Sequence, residues 1–179
     1  MKSNIKKVFN TKVKNPVYFI AEIGVNHNGN VKLAKKMIDA AKNSGADAVK
    51  FQTFKAEHLI LKDVQKAPYQ KNTTDAIETQ FDMLKKLEVS REQNLELKKY
   101  CTKNGITFLT TPFDEESLRE LDELDLAAYK VASTDTTNLP FLKKIAMKGK
   151  PIFLSTGMSY LSEVRLALET IYKFNKDVV

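Results

Sequence analysis

The stretch "AAYKVASTDTTNLPFLKKIAMKGKPIFLSTG", residues 127–157, reads as a complete strand–helix–strand unit. Ala127, Ala128, Tyr129, Val131 and Ala132 suit a buried strand. Lys130 among them does not, and hydroxyls crowd behind it at Ser133, Thr134, Thr136 and Thr137. Asn138 as N-cap, Pro140 in the first turn and Gly149 as a stop then bound a helix. "PIFLSTG" (151–157) is the next strand. Two strands joined through a helix run parallel, because a tight turn can join only antiparallel neighbours.

The same unit recurs on both sides. Upstream, "VYFIAEIG" (17–24) is a strand, and Leu33, Ala34, Met37, Ile38 and Ala41 follow at helical spacing between Asn30 as cap and Gly45. "ADAVKFQTF" (46–54) is the second strand, and a polar segment of undefined structure covers about 55–77. A helix near 78–87 leads to another that opens with Ser90 and Gln93 at capping-box spacing and stops at Gly105. "ITFLTTPF" (106–113) is the third strand, and Asp114 caps a short helix after it. Downstream, "LSEVRLALETIYKFN" is the fifth helix and "KDVV" the opening of a sixth strand.

Five β-then-α units predict an α/β fold with a parallel sheet and helices outside it. A doubly wound open sheet and a (β/α)8 TIM-type barrel both satisfy that pattern. Polar residues end all five strands: Glu22, Lys50 with Gln52, Thr110 with Thr111, Lys130 with Ser133, and Ser155 with Thr156. A barrel gathers every strand end around one site, whereas an open sheet gathers mainly the two at its switch point. The barrel is therefore the expectation. A full barrel takes about 250 residues, so a chain of 179 is expected to hold about five of its eight units, with unpaired edges on the first and fifth strands.

Bulk composition narrows the function classes. Apolar content of 42% and charged content of 28% suit a soluble globular protein. No apolar run approaches the roughly 20 residues needed to cross a bilayer. Residues 1–16 form a basic extension without an apolar signal core, which points to the cytoplasm. The single cysteine, Cys101, reads as a small buried hydrophobe. His27 and His58 have no Cys/His cluster around them, so no metal ligand is assigned. The net charge of +7 comes from lysine pairs scattered along helices, without the arginine-rich, aromatic-studded stripe of a nucleic-acid binder.

At the inferred strand-end face, Lys50 and Lys130 on separate strands could bracket a ligand bearing more than one negative charge, with hydroxyls and amides as hydrogen-bond partners. Glu22 opposite them could bind a sugar hydroxyl, hold a metal-bound water or act as a base. Spacing alone reaches an anion site on a barrel face. Thr110, Thr111 and Thr136 equally suit β-formers or caps, and a strand lysine can extend its stem outwards.

Six motifs carry a resemblance beyond this. "FIAEIGVNHNG" (19–29), "GADAVKFQTF" (45–54), "FLTTPFD" (108–114), "YKVAS" (129–133), "NLPFLKKIA" (138–146) and "KPIFLSTGM" (150–158) occur in this order. Together they resemble the sialic acid synthase family, the N-acetylneuraminate synthases with their legionaminate, pseudaminate and spore-coat relatives, over about residues 17–176. The resemblance implies condensation of phosphoenolpyruvate with N-acetylmannosamine or a related 2-acetamido sugar, giving a nonulosonic acid and phosphate with help from manganese or magnesium. It implies catalytic roles for Glu22, Lys50 and Lys130, and phosphoenolpyruvate contacts from Gln52, Thr111, Ser133 and Ser155. Tyr69, Gln70 and Asn72 fall in the segment where the family binds its sugar. Where many members have Gly then Glu after the serine, this chain has Thr134 then Asp135.

Residues 17–179 then correspond to the N-terminal part of such a barrel, without its later strands, their metal-binding histidines or the antifreeze-like C-terminal domain. The chain alone is expected to be inactive, and the full-length form to be a cytoplasmic homodimer. Two other readings stay open: a Schiff-base pyruvate aldolase or lyase using Lys130 or Lys50, and a non-catalytic anion-binding or assembly fragment.

Overall fold

The structure, a computed structural model, describes residues 17–66 and 78–179. The basic extension of residues 1–16 and the candidates Tyr69, Gln70 and Asn72 lie outside the described residues. Strand β1 (Ile20–Gly24) leads to helix α1 (Val31–Asn43), then β2 (Ala48–Thr53), the single turn α2 (Ala56–Leu59), α3 (Gln80–Leu87) and α4 (Arg91–Lys103). β3 (Thr107–Pro112), α5 (Glu115–Asp122), β4 (Tyr129–Val131), α6 (Leu139–Ala146), β5 (Ile152–Leu154) and α7 (Leu161–Tyr172) complete the order.

The expected caps form. Asn30 accepts from Leu33 N at 3.1 Å, Ser90 and Gln93 exchange both bonds of a capping box, and Asp114 accepts from Ser117 N at 2.8 Å. The α2 turn falls within the polar segment of about 55–77, and periodicity misses it because four residues are too few to show a period.

β1, β2 and β3 form one parallel ladder, and β4 and β5 another. The expected single sheet is thus divided between β3 and β4. β4 keeps only three residues of the seven expected (127–133), and Ser133–Asp135 turn into a 3-10 helix instead. The expected open edge on the fifth strand is also corrected. Residues 177–179 lie parallel along β5, with Ile152 N donating to Asp177 O at 2.9 Å and Leu154 N to Val179 O at 2.7 Å. Where "KDVV" was expected to open a sixth strand, the structure has this pairing and a single parallel bridge, Ile152 to Val178, rather than a full strand.

Strand side chains alternate between two faces, and two apolar clusters show which is which. Ile23, Val49, Phe51, Phe108, Tyr129, Val131 and Ile152 pack against helix residues such as Ile38, Leu97, Leu118 and Ile145. Cys101 belongs to this layer, and burial pushes its thiol up to about 12. The opposite parity forms a separate inner cluster of Ala48, Leu109, Ala128 and Phe153, with Tyr18 and Ile20 against it. Continuing that inner parity towards the C-terminal strand ends leads from Ile20 to Glu22, from Ala48 to Lys50 and Gln52, from Leu109 to Thr111, from Ala128 to Lys130 and from Phe153 to Ser155.

Candidate functional site

Ladder register brings these inner residues side by side. Glu22 is opposite Lys50 across β1 and β2, and Gln52 is opposite Thr111 across β2 and β3. Lys50 is 7% exposed, and its Nζ lies 2.7 Å from Glu22 Oε2. Gly24 closes this corner. Its φ is +55°, and a Cβ there would lie 3.0 Å from Glu22 Oε1 and 3.7 Å from Gln52 Nε2. Glycine is needed here both for the left-handed backbone and for room beside the carboxylate.

On the other ladder, Lys130 Nζ donates to Val131 O at 2.7 Å and to Ser155 Oγ. Burial, then the charge of Lys50, lowers the Lys130 ammonium to about 8, with Glu22 acting in the opposite direction. The two lysines therefore feel one another across the face, and one carboxylate stands against two cations. Ser133 reaches the same edge, since a Cβ on Gly157 would lie 3.7 Å from its Oγ. Thr111 is 1% exposed and its Oγ1 has no hydrogen-bond partner. A buried hydroxyl on this face, without a partner among the described residues, is a group left for a ligand oxygen.

Thr110 does not join this site. Its Oγ1 lies 2.8 Å from Thr53 Oγ1 on the helix-covered face, where Thr53 in turn meets Asn94 of α4. Period-two alternation already separates Thr110 from Thr111, a signal present in the sequence. Thr136, read there as a β-former or cap, instead donates to Ser155 O at 3.0 Å.

Neither histidine lies on the inner face. His27 is 2% exposed and packs with its ring centroid 5.9 Å from that of Phe51, and burial lowers its pKa. His58 stands on the rim with Nδ1 3.3 Å from Asp114 Oδ1. Among the described residues no three His, Cys, Asp or Glu side chains are placed to hold a metal, and the inner face offers only Glu22, already paired with Lys50. These residues do not by themselves fit a metal ion.

A cleft of about 460 Å³ lies at the opposite, N-terminal ends of β3 and β4, between Lys98, Thr107, Asp125 and Lys150. Its cations are already engaged, Lys150 with Asp125 and Lys98 with Leu124 O. Size does not make it the better candidate.

Comparison with known proteins bears on the family and the fold. N,N'-diacetyllegionaminic acid synthase of Legionella pneumophila is 49% identical over 154 residues, which is 86% of this chain and 43% of that protein. The synthase of the same name from Campylobacter jejuni is 51% identical over 86% of this chain and 46% of its own length. The crystal structure of N-acetylneuraminic acid (sialic acid) synthetase from Leptospira borgpetersenii in complex with citrate superposes with a TM-score of 0.74 at 33% identity, covering 89% of this chain and 51% of that one. The chain thus spans about half the length of the relatives it matches, and its five units are part of a TIM-type barrel. The model of the NeuB family matches residues 37–179, and the chain belongs to that family.

Proposed function

We propose that these strand ends are the phosphoenolpyruvate half of a nonulosonic acid synthase. The observation that carries this is the convergence of Lys50 and Lys130 on one inner face with a single carboxylate between them. Phosphoenolpyruvate bears a phosphate and a carboxylate, and two partly dry cations suit two anionic ends. Thr111, Gln52, Ser133 and Ser155 supply neutral hydrogen bonds. Tyr69 and Asn72 are proposed to meet the sugar.

In the reaction, C3 of phosphoenolpyruvate forms a bond to the aldehyde carbon of an open-chain 2-acetamido sugar. Water adds at C2, and phosphate leaves as its C–O bond breaks. An anion that takes over Lys50 frees the Glu22 carboxylate to face the sugar hydroxyls and that water. Manganese or magnesium belongs to this reading. The described residues supply no donor set for it. The 179-residue chain is proposed to bind phosphoenolpyruvate without turnover. The full-length protein is proposed to act as a cytoplasmic homodimer that condenses it with N-acetylmannosamine or a related sugar.

Calorimetric titration of phosphoenolpyruvate into the chain and into Lys130→Ala tests the site. Saturable binding lost in the variant is expected. No binding to the folded chain, or binding unchanged by Lys130→Ala, refutes the assignment.

One observation favours a second reading, a Schiff base on Lys130, since its ammonium is lowered to about 8. Both of its contacts are oxygens, which accept from an ammonium and stabilise the charged form. Borohydride reduction in the presence of pyruvate decides, because a covalent adduct on Lys130 supports the aldolase reading and its absence removes it.

A further inference from the structure

The run of hydroxyls behind Lys130 divides in the fold. Thr134 and Thr137 are exposed, while Thr136 is fully buried. Its Oγ1 donates across the gap beyond the two strand ends to Ser155 O at 3.0 Å. The Ser155 backbone is held from its other side as well, since its N–H donates to Val131 O at 3.1 Å, the last bond between these strands. Val131 O also accepts from Lys130 Nζ, and Lys130 Nζ donates to Ser155 Oγ. A closed ring therefore runs from Lys130 through Ser155 to Val131 and back, and Thr136 clamps it at the one peptide group beyond the ladder.

We propose that Thr136 is a positioning residue for the anion site: it fixes the Ser155 backbone so that the Ser155 hydroxyl meets Lys130 and the ligand together. The inference rests on the anion-site reading above and deepens it. β5 ends at Leu154, so Ser155 lies just past the regular ladder. A side chain there needs a second anchor to keep one rotamer, and a tertiary hydrogen bond to its carbonyl supplies it. Threonine suits the task because its branched Cβ restricts χ1, and burial keeps water from competing for Ser155 O.

The test uses three variants and phosphoenolpyruvate as probe. Thr136→Val keeps the shape and removes the donor, and should weaken binding about fivefold, the scale of one buried neutral hydrogen bond. Thr136→Ser restores the donor and should stay within about twofold of the parent chain. In a Ser155→Ala background Thr136→Val should cost nothing further, because the clamp then has no hydroxyl to place. Parent-like binding by Thr136→Val overturns the proposal, and so does an equal loss with and without Ser155, which would mark a purely structural role.

A ligand-free reading separates this claim from the anion site itself. The Lys130 side chain is followed by nuclear magnetic resonance as pH is raised. A midpoint displaced in Thr136→Val but not in Thr136→Ser supports the clamp even if phosphoenolpyruvate fails to bind the parent chain. An unmoved midpoint in both refutes the clamp while leaving the anion site standing.

Discussion

The two ladders each place one lysine on the inner face, and they treat it differently. On β1–β2, Lys50 meets the Glu22 carboxylate at 2.7 Å. On β4–β5, the contacts of Lys130 among the described residues are neutral oxygens, from Val131 and Ser155. A carboxylate offsets the desolvation of a buried ammonium, whereas hydroxyl and carbonyl dipoles offset less of it. The depressed ammonium of Lys130 is the result. The comparison assigns different work to the pair. Lys130 is an unneutralised charge held ready, and Lys50 must exchange one anion for another.

The sharpest way to break this comparison is to remove the unneutralised charge. Lys130→Ala should lower phosphoenolpyruvate affinity about 100-fold, the scale of a charge contact in a partly dry site. A loss under about fivefold by calorimetry would mean that Lys50 does most of the binding and that the asymmetry has no functional consequence.

The same residue should burden the empty fold. Its ammonium loses its proton near 8 in the folded chain and near 10.4 when unfolded. Between those values the unfolded state holds the extra proton, so stability rises as pH rises from about 8 to about 10.4 and the penalty is fully present below 8. At pH 7, Lys130→Met should therefore melt higher than the parent chain, by about 5 °C for an effect on the order of 2 kcal/mol. The advantage should shrink by pH 10. A variant that melts lower at pH 7 would show the lysine to be stabilising and the comparison to be mistaken.

Glu22 offers a finer probe. Glu22→Gln removes the anion that competes for Lys50, and near pH 6.5 phosphoenolpyruvate should bind a few-fold tighter. The same change withdraws the charge that raises Lys130, so its midpoint should fall and the alkaline limit of binding should move to lower pH. Unchanged affinity with an unchanged limit would separate Glu22 from both lysines.

The smallest effect is expected at Thr111, whose hydroxyl has no partner among the described residues. Thr111→Val should weaken binding about threefold and leave the melting temperature level or slightly raised, since an unsatisfied buried hydroxyl is lost. A marked fall in stability would show that the hydroxyl already serves the fold.

Much of this architecture was legible residue by residue. Asn30, the Ser90–Gln93 box and Asp114 act within one helical turn of themselves, so spacing suffices to place them. The polar strand ends were legible for the same reason, because alternation puts Lys50 and Gln52 on one side whatever the strand packs against. What escaped has partners far along the chain. The Lys50–Glu22 pair spans 28 positions, and the Thr136–Ser155 bond links two loops across a helix. Thr110 adjoins Thr111 in the sequence, yet period two sends its side chain to the opposite face. The early end of β4 follows from where its neighbours stop, which no property of "AAYKVAS" announces.

By itself, then, the order of residues determined the helices, the parallel strands and which side chains gather at the strand ends, because periodicity and capping act over a few residues. Only the tertiary structure decided that one lysine arrives with its carboxylate and the other without, that Thr111 has no partner among the described residues and that Thr136 holds Ser155. Those outcomes depend on the ladder register and on loops meeting across the face, and charge and hydrogen-bond energies are set by distances that local sequence does not contain.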